Sequence, residues 1–109
     1  MWLLKTDDRA TEAFTFRILP GNIKTIGRST GAEFMVDAAM ISRLHCRLTA
    51  GAAELEVVDL GSTNGTFVNG QRVGRALLKD GDTLGVGRVE FTVSRAPQPS
   101  PSTDPSSAS

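Results

Sequence analysis

The 109-residue sequence has few of the residues that build disulfide or metal frameworks, and it has no long apolar run. A single cysteine, Cys46, excludes an intrachain disulfide framework, and together with the one histidine, His45, it cannot build a zinc site. No apolar run approaches the roughly 18 residues of a membrane-spanning helix, and the apolar stretch at the N-terminus is too short for a signal peptide. We therefore expect a soluble, cytoplasmic protein that holds no metal and does not enter a membrane.

Net charge is also lacking, because twelve basic residues balance twelve acidic ones. Proteins that bind nucleic acid or an anionic membrane along a whole face usually carry a basic excess. We expect neither of these partners. The balance still permits a local basic site for a single phosphate group.

A sustained helical period is missing from the sequence as well. Short apolar or alternating runs recur about every 8–12 residues and are separated by turn residues, which is typical of an all-β sandwich. The Asn69-Gly70 pair lies between two such runs and is the strongest short-range signal for a β-hairpin. The pattern predicts an all-β fold made of two packed sheets.

The composition changes sharply at residue 96, where a segment rich in serine and proline begins. This segment offers almost nothing to a core, so we expect residues 96–109 to form a disordered tail or an interdomain linker. Residues 1–95 have the length of one ordinary domain.

Small and polar residues cluster in the stretch Asp59–Gly70, between two apolar runs. Gly61 and Gly65 can adopt a positive φ without steric cost, so this loop can direct backbone N–H groups, hydroxyls and an amide towards one point. Two further groups, Gly27-Arg28 and Ser42–His45, add arginines and another hydroxyl. Such donors, in loops between short strands, suit a tetrahedral oxyanion.

Taken together, Gly27-Arg28, Ser42–His45, Ser62–Gly70 and Leu78–Asp82 resemble the signature of the forkhead-associated (FHA) domain family, in the family's order. The resemblance covers roughly residues 2–95. It implies a two-sheet β-sandwich of about eleven strands whose loops at one end bind phosphothreonine peptides. The implied function is a phosphothreonine-dependent protein-interaction module in Ser/Thr kinase signalling, without a cofactor and without enzymatic activity. Its partner would be a protein carrying a phosphothreonine made by a Ser/Thr kinase.

The resemblance also implies a role for individual residues of the loops. Arg28 would form a charge-assisted hydrogen bond to a phosphate oxygen, and the Ser42 hydroxyl would donate to the same group. Arg43 would add a second cation or flank the peptide. Thr63 and Asn64 would contact the phosphothreonine and the peptide backbone.

Three further residues are expected to shape the loops instead of touching the ligand. By the resemblance, His45 forms hydrogen bonds within the binding loops and holds Ser42 in place. Gly27 and Gly65 are expected to be structural residues of the same loops. The preference at the third residue after the phosphothreonine stays open, because Met40 and Arg88 suggest an apolar and an acidic choice respectively.

Rival functions give different expectations. The segment Gly27–Gly31 fits the G-x-S-x-G pattern of hydrolases, with Ser29 and His45 as candidate catalytic residues. That motif requires a helix after it, whereas residues 32–36 read as loop and strand. The loop around Gly65 is not a P-loop, since no lysine follows. An interaction domain of the same fold that binds partners independently of phosphate is the remaining alternative.

Overall fold

A computed structural model describes residues 1–6, 14–36, 38 and 40–95. The predicted tail, residues 96–109, lies outside the described residues. The described part of the chain contains eleven strands and no helix. The strands are β1 (Trp2–Thr6), β2 (Thr15–Ile18), β3 (Ile23–Gly27), β4 (Phe34–Met35), β5 (Cys46–Ala50), β6 (Leu55–Asp59), β7 (Thr66–Val68), β8 (Gln71–Val73), β9 (Arg75–Leu78), β10 (Thr83–Val86) and β11 (Val89–Arg95).

The strands form two sheets, which confirms the predicted all-β sandwich. The six-stranded sheet has the order β2-β1-β11-β10-β7-β8, and the five-stranded sheet has the order β4-β3-β5-β6-β9. The pair β3–β4 is parallel and short, whereas the other strand pairs of the described chain are antiparallel.

The core lies between the sheets and is built from alternate residues of the strands. Leu48 and Cys46 on β5 are fully buried, as are Phe91 and Val93 on β11. Neighbouring residues on these strands, such as Arg47, face outwards and are exposed. This alternation follows from the period of two along a strand, which directs successive side chains to opposite faces.

The hairpin predicted at Asn69-Gly70 joins β7 to β8. Asn69 has a φ of 51° and Gly70 a φ of 84°. Positive φ at both central residues is the requirement of a two-residue type I′ turn, whose twist matches that of the flanking strands. The prediction from the Asn-Gly pair is confirmed.

Two strands are longer than their apolar pattern predicts. In the sequence, apolar residues mark only Leu77-Leu78 of β9 and the alternating run Val89–Val93 of β11, whereas β9 begins at Arg75 and β11 ends at Arg95. Both arginines are exposed and pair across the sheet, with Val58 and Trp2 respectively. Exposed charged residues in a strand leave no apolar signal, so periodicity does not find them.

Candidate functional site

Strand register brings three of the predicted loops to one end of the five-stranded sheet. Cys46, at the start of β5, pairs with Ile26 near the end of β3 and with Asp59 at the end of β6. The segments that leave β3, enter β5 and leave β6 therefore start side by side. Backbone hydrogen bonds extend this contact beyond the strands, from His45 N–H to the Ile26 carbonyl and from Leu60 N–H to the His45 carbonyl.

The Gly27-Arg28 segment packs directly against the backbone of Ser42-Arg43. The Arg28 N–H donates to the Ser42 carbonyl at 3.0 Å, and the Ser29 N–H donates to the Arg43 carbonyl at 3.2 Å. A Cβ atom on Gly27 would lie 2.0 Å from the Arg43 carbonyl oxygen. The approach is possible only without a side chain, so Gly27 fixes the position of the two arginines relative to each other.

His45 joins two loops through both of its ring nitrogens, and its side chain is completely buried. Nδ1 accepts a hydrogen bond from the Ser42 N–H at 3.1 Å, and Nε2 lies 2.8 Å from the Gly65 carbonyl. Because Nδ1 accepts, the proton is on Nε2, which donates to Gly65. No ring nitrogen is left for Ser29, whose hydroxyl instead accepts from the Gly31 N–H. This geometry speaks against a Ser29–His45 catalytic pair.

Ser42 has its hydroxyl placed for donation out of the protein. The Ser42 Oγ accepts a hydrogen bond from the Thr63 N–H at 3.1 Å, which leaves its own proton free. Beside it, Ser29, Ser42, Arg43 and Leu44 line an open depression of about 470 Å³. The side chains of Arg43, Arg28 and Thr63 are exposed. Within the described part of the chain, the single ion pair joins Arg75 to Glu56, so no carboxylate neutralises either arginine.

Asn64 is half-buried and is oriented by a carbonyl group from another loop. Its Nδ2 donates to the Met40 carbonyl at 2.9 Å. The other N–H and the Oδ1 atom of this amide make no hydrogen bond with the described residues and remain available to the backbone of a peptide. Gly65 follows with a φ of 91°, which L side chains rarely adopt. A Cβ atom there would also lie 2.8 Å from Arg72 Nε, so a side chain at this position would in addition displace the Arg72 side chain.

Asp59 organises this loop, and sequence reasoning did not assign it a role. Its Oδ2 accepts from the backbone N–H groups of Gly61 and Ser62 at 3.0 and 3.1 Å. Its Oδ1 accepts from the Ser62 hydroxyl and, at 2.7 Å, from the Thr66 hydroxyl. The Ser62 Oγ in turn accepts from the Gly65 N–H at 3.0 Å. The available signal was an aspartate two residues before the run of small and polar residues that begins at Gly61, which is typical of an Asx turn.

These bonds set the ionisation of the Asp59 carboxyl. Partial burial raises its pKa, but the hydrogen bonds from Ser62, Thr66 and Gly61 outweigh burial and hold the pKa below its usual range. The carboxylate is therefore the form around which the loop is built.

The model of the FHA domain matches residues 24–87, which is more than half of the chain and includes every predicted site residue. The chain belongs to the FHA domain family. The matched region begins in β3 and ends at the turn after β10, so it contains all of the loops described above.

Two curated relatives that this FHA domain resembles are longer proteins, and the match covers only part of each. It is 38% identical over 77 residues to the ABC transporter ATP-binding/permease protein Rv1747 of Mycobacterium tuberculosis, covering 71% of this chain and 9% of that protein. It is 33% identical over 72 residues to the glycogen accumulation regulator GarA of Mycolicibacterium smegmatis, covering 66% of this chain and 46% of that protein. The chain thus spans about half or less of the relatives it matches.

Solved structures agree with the fold of this FHA domain. The FHA domain of the CT664 protein from Chlamydia trachomatis has a TM-score of 0.81 at 24% identity, over 88% of this chain and 98% of that one. A structure from a structural and functional analysis of phosphothreonine-dependent FHA domain interactions has a TM-score of 0.74 at 32% identity, over 89% of this chain and 98% of that one.

Two negative findings concern the described residues of this FHA domain. They include no group of three or more His, Cys, Asp or Glu side chains that could hold a metal ion. They also include no helix long and apolar enough to cross a membrane.

Proposed function

We propose that this FHA domain binds partner proteins through a phosphorylated threonine. The observation that carries the proposal is the meeting of the Arg28, Ser42–Arg43 and Thr63-Asn64 loops at one end of the sandwich. The two arginines there are exposed and have no acidic partner among the described residues, and the Ser42 hydroxyl keeps its proton for a ligand. A phosphate ester near neutral pH carries a charge of about −1.5 to −2 and strong acceptor oxygens, which suits these groups.

The proposal assigns a role to each residue of the site. Arg28 and Ser42 donate to the phosphate, and Arg43 supplies a second positive charge. Thr63 contacts the phosphothreonine, and the free amide atoms of Asn64 hydrogen-bond the peptide backbone. Gly27, His45 and Gly65 do not touch the ligand, but fix the loops through close backbone approach and buried hydrogen bonds.

The comparisons support binding over catalysis. A structure at 32% identity comes from work on phosphothreonine-dependent FHA domain interactions, and another relative is named a regulator of glycogen accumulation. By extension, the phosphothreonine of this domain's partner is the product of a Ser/Thr kinase. The domain itself is an interaction module and not an enzyme, and it occupies residues 1–95.

The test is a screen of the purified domain against an oriented phosphothreonine peptide library, followed by calorimetric titration of the best peptide and its unphosphorylated copy. We expect binding of the phosphorylated peptide only. Equal affinity of the two peptides would contradict the proposal and would favour partner binding that is independent of phosphate.

A further inference from the structure

A second depression lies on the outer face of the six-stranded sheet, next to the β6–β7 loop. We call it the Phe67 trough. It has a volume of about 420 Å³ and is lined by Phe67, Gly70, Gly85, Gly87, Arg88 and Glu90. None of these residues belongs to the proposed phosphate site.

The floor of the trough is an aromatic ring lying across bare backbone. Phe67 on β7 pairs with Gly85 on β10, and Gly85 pairs with Glu90 on β11. A Cβ atom on Gly85 would lie 3.1 Å from the Phe67 Cβ, so Phe67 covers the space that a side chain would fill. Gly85 is consequently buried, whereas Phe67 keeps part of its surface exposed to solvent.

Arg72, next to the trough, and Arg88, in its lining, follow the trough towards the loops of the proposed phosphate site. Arg72 on β8 pairs with Phe67, and a Cβ atom on Gly65 would lie 2.8 Å from Arg72 Nε and 3.2 Å from Phe67 Cε1. Its guanidinium group therefore lies over the loop that carries Asn64. Arg88 directly follows Gly87, whose backbone lies close to Met40: a Cβ atom on Gly87 would lie 2.5 Å from the Met40 carbonyl oxygen. The same carbonyl oxygen accepts the hydrogen bond from the Asn64 amide.

The charges at this edge are unbalanced. Arg72 and Arg88 are exposed, and neither takes part in the single ion pair of the described residues. Two exposed arginines that have no ion-pair partner among the described residues lie beside an apolar floor, and this arrangement favours a ligand that is acidic and partly apolar.

We propose that the Phe67 trough binds an acidic segment of the same phosphorylated partner, outside the phosphothreonine and its immediate neighbours. Its carboxylates pair with Arg72 and Arg88, and an apolar side chain packs on the Phe67 ring over Gly85. The inference rests on the proposed function, because it extends the ligand from the phosphate loops onto the sheet. Two observations support the inference. The first is the charge complementarity between the arginines and an acidic segment, and the second is the close approach of Arg72 to Gly65 and of Gly87 to Met40, which connects the trough to the phosphate loops.

Glu90 sets the polarity of the bound segment. It lies three strands from Arg72, which at about 4.8 Å per strand is a separation of about 14 Å. Acidic residues are therefore favoured at the loop side of the trough and disfavoured at the Glu90 side. A segment that is acidic along its whole length gains less than one whose carboxylates lie near the phosphothreonine end.

The experiment compares a short phosphothreonine peptide with versions extended by six residues on either side. Three kinds of extension are used: an acidic one that contains one leucine, a neutral one and a basic one. Each peptide is titrated against the domain in low salt and in about 0.5 M salt. We expect the acidic version on one side to bind about tenfold more tightly than the neutral one in low salt. Since exposed ion pairs are weak, Arg72→Gln and Arg88→Gln should each remove about threefold of this gain. High salt should remove most of the gain.

Variants of the domain distinguish binding in the trough from a non-specific attraction between charged peptide and protein. Arg72→Gln should leave affinity for the short phosphopeptide unchanged, and Arg17→Gln, an exposed arginine on β2, should leave every affinity unchanged. Arg88→Glu should reverse the preference, so that the basic extension binds more tightly than the acidic one. That exchange of preference is a coupling which non-specific charge does not produce.

Three results would overturn the inference. The first is equal affinity for acidic and neutral extensions, and the second is a gain in affinity from the acidic extension that persists in the Arg72→Gln/Arg88→Gln double variant. The third is a concentration-dependent dimer that Arg88→Glu abolishes, which would make a second copy of the domain the occupant of the trough. Failure of the proposed function is a separate outcome. In that case the phosphorylated and unphosphorylated short peptides bind equally. The trough is then tested separately, by comparing the affinities of unphosphorylated peptides with acidic and neutral extensions for the wild type and for the same arginine variants.

Discussion

The Ser42 hydroxyl oxygen accepts a hydrogen bond from the Thr63 backbone N–H at 3.1 Å. The two residues belong to different loops, one entering β5 and the other leaving β6, which are adjacent strands of the five-stranded sheet. Because the oxygen is occupied as an acceptor, the hydroxyl proton points elsewhere and can meet a ligand oxygen. One bond thus fixes the distance between two loops and orients a donor.

Arg28→Ala should weaken binding of a phosphothreonine peptide at least about 30-fold, which corresponds to about 2 kcal/mol for the loss of one partner of a hydrogen-bonded charge pair. The Arg28 side chain is exposed, so the melting temperature should not change. Calorimetry measures the affinity, and Arg17→Ala on β2 is the matched control. Near-normal affinity would remove Arg28 from the site.

Phosphothreonine peptides should bind about ten- to a hundredfold more tightly than matched phosphoserine peptides, since one methyl group in a fitted pocket contributes about 1–3 kcal/mol. A glutamate substitute should fail more completely, because its head is planar and carries a single charge. The measurement is a set of peptides that differ at this residue only, titrated in one buffer. Equal affinity for phosphoserine and phosphothreonine would leave a phosphate site without a slot for the threonine methyl group.

Gly27→Ala should destabilise the domain by about 1–3 kcal/mol or more, as is usual for an added methyl group without space. The new Cβ would lie 2.0 Å from the Arg43 carbonyl oxygen, so the two loops must separate and phosphopeptide affinity should fall as well. Gly31→Ala is the control, because a Cβ there would have only the Ser29 hydroxyl at 3.5 Å. Urea denaturation measures both variants, and equal stability would contradict the close approach at Gly27.

Asp59→Asn should lower stability at pH 7 by about 2–3 kcal/mol, because an amide replaces a charged acceptor of several hydrogen bonds. The pKa of Asp59 is lowered in the folded state, so its contribution is present above the unfolded value of about 3.9 and is lost as the pH falls through the lower folded value. The melting temperature of the wild type should therefore fall more steeply below about pH 4 than that of Asp59→Asn.

A control is needed for the general effect of acid. Glu90→Gln removes an exposed carboxylate for which no hydrogen bond is recorded among the described residues, and it should keep the wild-type slope. Parallel acid curves for the wild type and Asp59→Asn would show that the Asp59 carboxylate does not stabilise the loop.

Cys46 should resist alkylation in the folded protein. Burial, with a smaller effect of the Asp59 charge, raises the pKa of this thiol to about 12, so almost no thiolate exists at pH 8. Iodoacetamide should modify the folded protein only as fast as it unfolds, and should modify the denatured protein rapidly. Mass spectrometry follows the reaction, and fast labelling without denaturant would contradict the buried position.

Local features of the fold were predictable because short-range chemistry decides them. Alternating residues defined β5, and Asn69-Gly70 defined a hairpin, since the period of a strand and the φ of a turn depend on adjacent residues. The same holds for the loops that carry Arg28, Ser42 and Asn64, which small and polar residues marked as loops. Strand ends with exposed arginines, such as Arg75, were missed because they lack an apolar signal.

The sequence by itself determined the strands, the turns and the identity of the polar residues that stand in the loops. Tertiary structure alone decided which of them meet. Strand register places Gly27 against the Arg43 carbonyl, connects His45 to Gly65 twenty residues further along the chain, and lays Arg72 over Gly65. It also makes Asp59 the common acceptor of the β6–β7 loop. These contacts depend on distances of a few ångströms between segments far apart in sequence, which local pattern does not encode because the packing of two sheets sets them.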